Sequence, residues 1–160
     1  MSFSLIRVDD RMIHGQVVVG WVSFLHPDRI ILCHDEIAAN PFEKDLYESS
    51  FSDSDVSINV FNTNELLQYI NGENYSKEKC LLLVENPQDV LKLFELNVPI
   101  KRINIGGLHY KKHKKQFTSY MFLNENDIIC LHKLANRGII IEGQDTPNAK
   151  KIDVMKMINQ

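Results

Sequence analysis

Phe3–Leu25, FSLIRVDDRMIHGQVVVGWVSFL, contains a strand pattern, a polar loop and a helix pattern in direct succession. Apolar residues dominate Phe3–Val8, which predicts a first strand. Further along, apolar residues recur at the spacing of one helix face, namely Val18, Trp21, Val22 and Leu25. A helix is therefore predicted from about Gly15 to Leu25, and a strand that leads into a helix in this way is typical of α/β proteins.

The same alternation continues to the end of the chain. Six further strands are predicted, of which the sixth in the chain has the weakest pattern: Arg29–Cys33, Val56–Phe61, Cys80–Val84, Arg102–Ile105, Ser119–Leu123 and Gly138–Glu142. Continuous apolar strands are typical of a parallel sheet that is buried on both faces. We therefore expect an α/β fold with a single open, doubly wound, mostly parallel sheet of about seven strands and helices on both faces. No repeat or linker interrupts the pattern, so residues 1–160 are expected to form one domain.

Capping residues mark the predicted helix ends. Asn86 followed by Pro87 is a strong start signal, and Asn124 with Asp127 is another. Gly138 is expected to close the helix that Asn124 begins. The remaining helices are predicted at Pro41–Tyr47, from a Thr63 cap to about Gly72, and at about Ala149–Ile158.

Composition excludes several classes of function. The 160 residues include 18 basic and 21 acidic side chains, for a net charge of −3. This balance gives no electrostatic basis for general binding of nucleic acid or of a membrane surface. No apolar run approaches the roughly 20 residues of a membrane span, and early charges interrupt any signal peptide. The three widely spaced cysteines predict reduced thiols in a cytoplasmic protein, without a zinc site.

The polar loop after the first strand is the main candidate for chemistry. Ligands of open α/β sheets bind at the carboxyl ends of the strands, and this loop contains Asp9, Asp10, Arg11 and His14 directly before a helix. Imidazole is a good nucleophile with a pKa of ~6.5, and a helix N-terminus suits a phosphoryl group. Arg11 would bind phosphate oxygens with its forked guanidinium. Asp9 or Asp10 would hold the imidazole or anchor Arg11.

The loop after the fifth strand is the second candidate. Gly106 and Gly107 would let the backbone approach a ligand closely. The residues alone also leave open an ordinary loop histidine beside a local ion-pair cluster. A third interpretation is the magnesium site of a receiver domain, which also begins with two acids. It is disfavoured because no acid follows the third strand and no lysine directly follows the fifth.

His109–Lys115, HYKKHKK, is a basic run with two histidines. A solvated loop is the expected role, and metal binding is the less favoured one. If the run has a function of its own, it would be a docking surface for an acidic partner or a set of cations that screens the negative charge of a phosphate.

Ile6–Val17, IRVDDRMIHGQV, followed by Trp21, resembles the opening signature of the IIB component of mannose/sorbose-type sugar phosphotransferase systems (PTS). The resemblance continues in order and at the right spacing over almost the whole chain. It is carried further by Arg29–Cys33, His34–Glu36, Ala39, Glu85–Val90, Asn104–His109, and Gly138–Glu142 with Gln144 and Pro147.

The resemblance implies a cytoplasmic phosphocarrier that is a phosphotransferase component. A phosphohistidine of the IIA domain would pass its phosphoryl group to this protein, which would pass it to a sugar held by the membrane IIC and IID components. The family's phosphorylated histidine, which reacts at Nδ1, aligns with His14, its motif arginine with Arg11 and its motif acid with Asp10. Groups expected to bind the phosphoryl oxygens are those of Arg11, Gly15, Gln16, Gly106 and Gly107. The resemblance implies neither a cofactor nor a metal, because the N–P bond already carries the transfer potential.

Some points stay open in the sequence. An acid beside His14 would weaken phosphate binding unless it faced Arg11 or the imidazole, so we expect that geometry. Tyr110–Lys115 departs from the family, and the partner that it docks, IIA or the membrane components, is not defined. The sugar and the oligomeric state, a homo-oligomer included, are undetermined. The alternative function is a regulatory or small-ligand-binding module whose phosphorylation state controls a partner. Neither this module nor the phosphocarrier is expected to bind nucleic acid or to insert into a membrane.

Overall fold

The computed structural model describes residues 3–51 and 55–160, with Gln16 and Val17 described by their backbone alone. Nine strands occur in this part of the chain: β1 (Leu5–Val8), β2 (Arg29–Cys33), β3 (Ser57–Phe61), β4 (Cys80–Val84), β5 (Arg102–Ile105), β6 (Lys115–Gln116), β7 (Phe122–Leu123), β8 (Ile140–Gly143) and β9 (Ile152–Asp153). The helices are α1 (Gly15–Leu25), α2 (Asp35–Ala38), α3 (Pro41–Ser49), α4 (Thr63–Ile70), α5 (Glu73–Lys77), α6 (Pro87–Glu95), α7 (Glu125–Asn136) and α8 (Val154–Ile158).

Seven of these strands form one sheet in the order β3-β2-β4-β1-β5-β8-β9. The pairs β2–β3, β2–β4, β1–β5 and β5–β8 are parallel, whereas β8–β9 is antiparallel. The mostly parallel, seven-stranded α/β sheet predicted from the sequence is confirmed.

The seventh strand of the sheet is a different one from that expected. The predicted strand at Ser119–Leu123 shortens to β7, which pairs with β6 in a separate antiparallel sheet of two strands. Its place in the main sheet is taken by β9, inside the segment predicted to begin the last helix. The helix begins later because the Asp153 carboxylate accepts a hydrogen bond from the Lys156 amide and so caps α8.

The chain divides into two compact units, and the first contains the described residues up to Leu5 together with Ile13–Leu83. Its central strand is β2, where Ile30 and Ile31 are fully buried. The chain moves from β2 out to β3 and back to β4. Because parallel crossovers are right-handed, this reversal places α3 and α4 on opposite faces of the three strands. Asn62, and not Thr63 as predicted, caps α4, because its side chain and that of Glu65 form a reciprocal capping box.

The second unit contains Ile6–Met12 and Val84–Gln160. The predicted starts of two of its helices are confirmed, since Asn86 caps α6 and Asn124 caps α7. Gly138 follows α7 with a φ of +85°, the left-handed conformation that glycine adopts without strain. Apolar residues of its strands and of α7 form its core, including Val8, Ile103, Ile105, Leu131 and Leu134. Within the described ranges, none of the helices has both the length and the apolar character that crossing a membrane requires.

Candidate functional site

A fully buried arginine lies at the centre of the second unit. Arg7 is opposite Asn104 in the β1–β5 register, and Asn104 is opposite Glu142 in the β5–β8 register. Arg7 Nη1 donates to Asn104 Oδ1 at 2.6 Å and to the Gln144 carbonyl at 2.8 Å. Since an isolated buried charge costs several kcal/mol, this arginine depends on the polar groups around it.

Asp9 supplies the negative charge and lies between two arginines. Its carboxylate is fully buried and accepts from Arg7 Nη2 at 3.2 Å. It also accepts from Arg11 Nε at 3.0 Å and from Arg11 Nη2 at 2.9 Å, which makes the Asp9–Arg11 pair bidentate. The Arg11 amide donates to the same carboxylate at 3.1 Å. Arg11 is therefore held by both its backbone and its guanidinium.

Charge and burial act in opposite directions on these groups. Burial alone would raise the pKa of Asp9, but hydrogen bonds from Arg11 and the charges of Arg7 and Arg11 hold that pKa below its usual value. The hydrogen bond to Asp9 raises the pKa of Arg11, while burial lowers that of Arg7. Asp9 is thus stabilised as a carboxylate, and Arg11 as a cation.

Asp10 holds the loop after β5. Its Oδ2 accepts from the His109 amide at 2.8 Å, and its Oδ1 lies 2.6 Å from His109 Nδ1. The Asp10 amide in turn donates to the Gly107 carbonyl at 2.8 Å. The acid that faces Arg11 is therefore Asp9, whereas Asp10 orients the exposed imidazole of His109.

Gly106 and Gly107 are required by the two arginines. A Cβ atom at Gly106 would lie 2.0 Å from Arg7 Nη2, and one at Gly107 would lie 2.9 Å from Arg11 Nε. The Gly106 amide donates to the Val8 carbonyl at 2.8 Å, and the Gly107 amide donates to Asp9 Oδ2 at 3.2 Å. Both amides thus already have acceptors within the protein, and the two glycines make room for the guanidinium groups. Contact of these glycines with a phosphoryl group stays a prediction.

His14 belongs to the first unit and is the N-cap residue of α1. Its carbonyl accepts from the Val18 amide at 2.9 Å, and its exposed side chain makes no capping hydrogen bond. The amides of Gly15 and Gln16 lie in the first helical turn, where backbone donors have no partner within the helix. That turn contains no acidic residue, so the N-terminus of α1 keeps its affinity for an anion.

The cluster also contains Arg7, Gln144 and Asp145, which were not predicted from the sequence. The carbonyls of Gln144 and Asp145 both accept from the Arg7 guanidinium, the latter at 2.9 Å. A signal was present for Arg7, since a charged residue inside an apolar strand must be paired when the strand is buried. The two carbonyls gave none, because any residue type carries one.

The residues that the structure describes contain no group of three or more His, Cys, Asp or Glu side chains placed to hold a metal ion. What the second unit offers instead is a fixed, partly exposed guanidinium at Arg11, which is suited to a phosphate or carboxylate.

Comparison with known proteins gives a consistent result over the whole chain. A family model described as "PTS system sorbose subfamily IIB component" matches residues 3–160. The "PTS system fructose-specific EIIB component" of Bacillus subtilis is 32% identical over 158 residues, which are 99% of this chain and 96% of that protein.

Two further relatives extend the comparison. The "PTS system mannose-specific EIIAB component" of Escherichia coli is 33% identical over 160 residues, all of this chain but only 49% of that protein. The crystal structure of the IIBSor domain of the sorbose permease from Klebsiella pneumoniae superposes with a TM-score of 0.91 at 28% identity, covering 99% of this chain and 97% of the other.

Proposed function

This chain belongs to the family of PTS system sorbose subfamily IIB components, and from that premise we propose that it is a cytoplasmic phosphocarrier whose phosphorylated residue is His14. The phosphoryl donor is a IIA protein, and the acceptor is a sugar held by membrane IIC and IID components. Residues 1–160 act as one IIB domain in this scheme. The name EIIAB of the Escherichia coli relative supports a IIA donor.

The observation that carries the proposal is the position of His14. Its side chain is exposed at the start of an eleven-residue helix and takes no part in capping it. A nucleophile must be reachable by two different partners in turn, and an exposed imidazole meets that requirement. The amides of Gly15 and Gln16 are suited to receive the phosphoryl oxygens, because donors in a first helical turn lack helical partners.

The transfer needs two displacement steps. In the first, the lone pair of His14 Nδ1 attacks the phosphorus of the IIA phosphohistidine, and the donor's N–P bond breaks with its electron pair returning to the donor imidazole. In the second, a sugar hydroxyl attacks the phosphorus on His14, the His14 N–P bond breaks, and the departing imidazole takes up the hydroxyl proton. Positioning and stabilisation of the spread negative charge are the protein's contributions to both steps.

Arg11 is proposed to stabilise that charge. Asp9 accepts from its Nε and from Nη2, and the Asp145 carboxylate lies 3.9 Å from Nη2. We therefore assign the N–H groups of Nη1 to the phosphoryl oxygens. The Arg11 side chain is 27% exposed, so it remains reachable by an anion. We assign Asp9 the task of orienting Arg11, and Asp10 the task of holding the loop that contains Gly106 and Gly107.

The proposal covers sugars as a class and does not identify one sugar. Two relatives of this chain are named as fructose-specific and mannose-specific components, and the IIBSor domain comes from a sorbose permease. Since one scaffold occurs with several sugars, we propose sugar phosphorylation without naming the sugar.

The test is phosphoryl transfer from a phosphorylated IIA protein, measured by mass spectrometry of the intact acceptor protein. The wild-type protein should gain one phosphoryl group, and His14→Ala should gain none while staying folded. The matched control is His26→Asn at the other end of α1, where φ is +48° and asparagine tolerates the left-handed conformation. The control should be phosphorylated like the wild type. A fully phosphorylated His14→Ala protein would refute the assignment, and a wild-type protein that accepts nothing would favour a regulatory or ligand-binding module.

A further inference from the structure

The segment His109–Asn124, which we call the basic hairpin, differs in charge from the rest of the chain. Its sequence, HYKKHKKQFTSYMFLN, contains four lysines and two histidines and no acidic residue, in a chain with 21 acids. Its strands β6 and β7 pair with each other and not with the seven-stranded sheet. Positive charge is thus concentrated on one separate structural element.

One of its lysines has a structural task. Lys114 Nζ lies 3.4 Å from Asp127 Oδ2, and both side chains are almost fully buried. Asp127 also accepts from the Asn124 amide at the start of α7 and from Gln88 Nε2. The Lys114 amide closes the turn by donating to the Lys111 carbonyl at 3.0 Å. The basic hairpin is therefore fastened to the first turn of α7 through Lys114.

The other three lysines point outward. Lys111, Lys112 and Lys115 are exposed, and among residues 3–51 and 55–160 none of them has an ion-pair partner. Lys115 Nζ lies 5.5 Å from the ring centroid of Phe117. Tyr110 is 66% exposed and rests edge-to-face on Phe122 of β7. The result is an exposed surface of three cations and one aromatic ring.

We propose that this surface, formed by Tyr110, Lys111, Lys112 and Lys115, rests transiently on the anionic headgroups of a lipid membrane. Lysine near an anionic bilayer strengthens binding by about fivefold per residue, and tyrosine is favoured at the headgroup level. The net charge of −3 gives no basis for membrane binding of the protein as a whole. That value is a sum over the whole chain, whereas the basic hairpin contains no acidic residue and is locally positive.

The choice of a lipid surface over an acidic protein rests on the proposed function. A carrier that delivers its phosphoryl group to membrane components works beside a bilayer for half of its cycle and must leave it for the other half. Three lysines and one tyrosine give weak, salt-sensitive binding without insertion, which permits this exchange.

The experiment measures co-sedimentation of the whole chain with vesicles of phosphatidylcholine, with and without phosphatidylglycerol, at low and high salt. Wild type should bind the phosphatidylglycerol vesicles at low salt only. The variant K111Q/K112Q/K115Q should lower the partition coefficient on the order of 100-fold. The matched control K77Q/K101Q/K133Q removes the same charge from exposed lysines outside the hairpin and should bind like the wild type.

The outcomes separate this proposal from the function on which it rests. Vesicle binding needs no phosphoryl group, so His14→Ala should bind like the wild type even though it accepts no phosphate. Equal loss in the hairpin variant and in the control would overturn the proposal, as would a wild type that ignores phosphatidylglycerol. A hairpin variant that binds vesicles normally but accepts phosphate slowly from IIA would also overturn it, by assigning the surface to an acidic protein.

Discussion

Replacement of Asp9 by asparagine is the perturbation for which the structure gives the clearest magnitude. The carboxylate is fully buried and is the anionic partner of two guanidinium groups, one of them fully buried at Arg7. Asparagine keeps the shape but removes the charge, and its amide turns one acceptor oxygen into a donor that faces other donors. Breaking a buried ion pair by removing one partner costs about 3–5 kcal/mol. That is a large part of the roughly 5–15 kcal/mol by which native proteins are stable.

The assay is urea unfolding of wild type and Asp9→Asn, followed by circular dichroism. The free energy of unfolding should fall by about 3–5 kcal/mol, with a drop in Tm of about 6–20 °C for a chain of this size. The control is Asp45→Asn on the exposed side of α3, which should change stability by no more than about 0.5 kcal/mol. A loss below about 1 kcal/mol for Asp9→Asn would show that the buried cluster is not held by this carboxylate.

The same cluster yields three other expected results. Since the pKa of Asp9 is lowered in the folded protein, its contribution to stability is complete above about pH 4 and is lost as the pH falls through the lowered pKa. In urea unfolding at acid pH, the free energy of unfolding should therefore fall more steeply for wild type than for Asp9→Asn. Equal slopes for the two proteins would contradict a stabilising role for the ion pair. Gly106→Ala places a Cβ 2.0 Å from Arg7 Nη2 and should cost about 1–3 kcal/mol of stability, whereas Gly15→Ala meets nothing within 4 Å; thermal unfolding of both variants checks this, and equal Tm values would be evidence against the crowding. Arg11→Lys loses the bidentate bond to Asp9 and should accept phosphate from IIA more slowly than wild type in a rapid-mixing assay, so an unchanged rate would remove Arg11 from the transfer step.

Local sequence signals were sufficient for most elements of the sheet. Arg29–Cys33, Cys80–Val84 and Arg102–Ile105 were predicted residue for residue as strands. The first two are mainly apolar runs, whereas Arg102–Ile105 alternates polar and apolar residues. Both patterns can be read from the local sequence alone. The helix Gly15–Leu25 was predicted equally well from the spacing of its apolar face.

Two-residue strands lay beyond this kind of inference. β6, β7 and β9 are too short to show a period, and each forms because another segment presents a pairing edge. Ile152–Asp153 lies within the helix predicted at about Ala149–Ile158. Its strand conformation comes from pairing with Glu142 and Gly143, a contact that no local window contains.

The loop residues of the candidate site could be predicted from the sequence, but the buried partner Arg7 and the pairing of the charges could not. Asp9 and Asp10 are adjacent acids in one loop, and nothing local distinguishes the acid that faces Arg11 from the one that faces His109. The distinction depends on where the loop after β5 lies, since Gly107 and His109 provide the donors. The need for glycine at 106 likewise follows from the buried guanidinium of Arg7.

If His14 carries the phosphoryl group, mass spectrometry and tests in acid and base will show where that group is attached and how it is lost. The protein would be charged from phosphoenolpyruvate through the general relay proteins and a cognate IIA, digested, and mapped by mass spectrometry. We expect a single phosphoryl group on the peptide that contains His14, lost in acid and kept in base. A base-labile group on an aspartate, or a phosphoryl group on any other histidine, would contradict it.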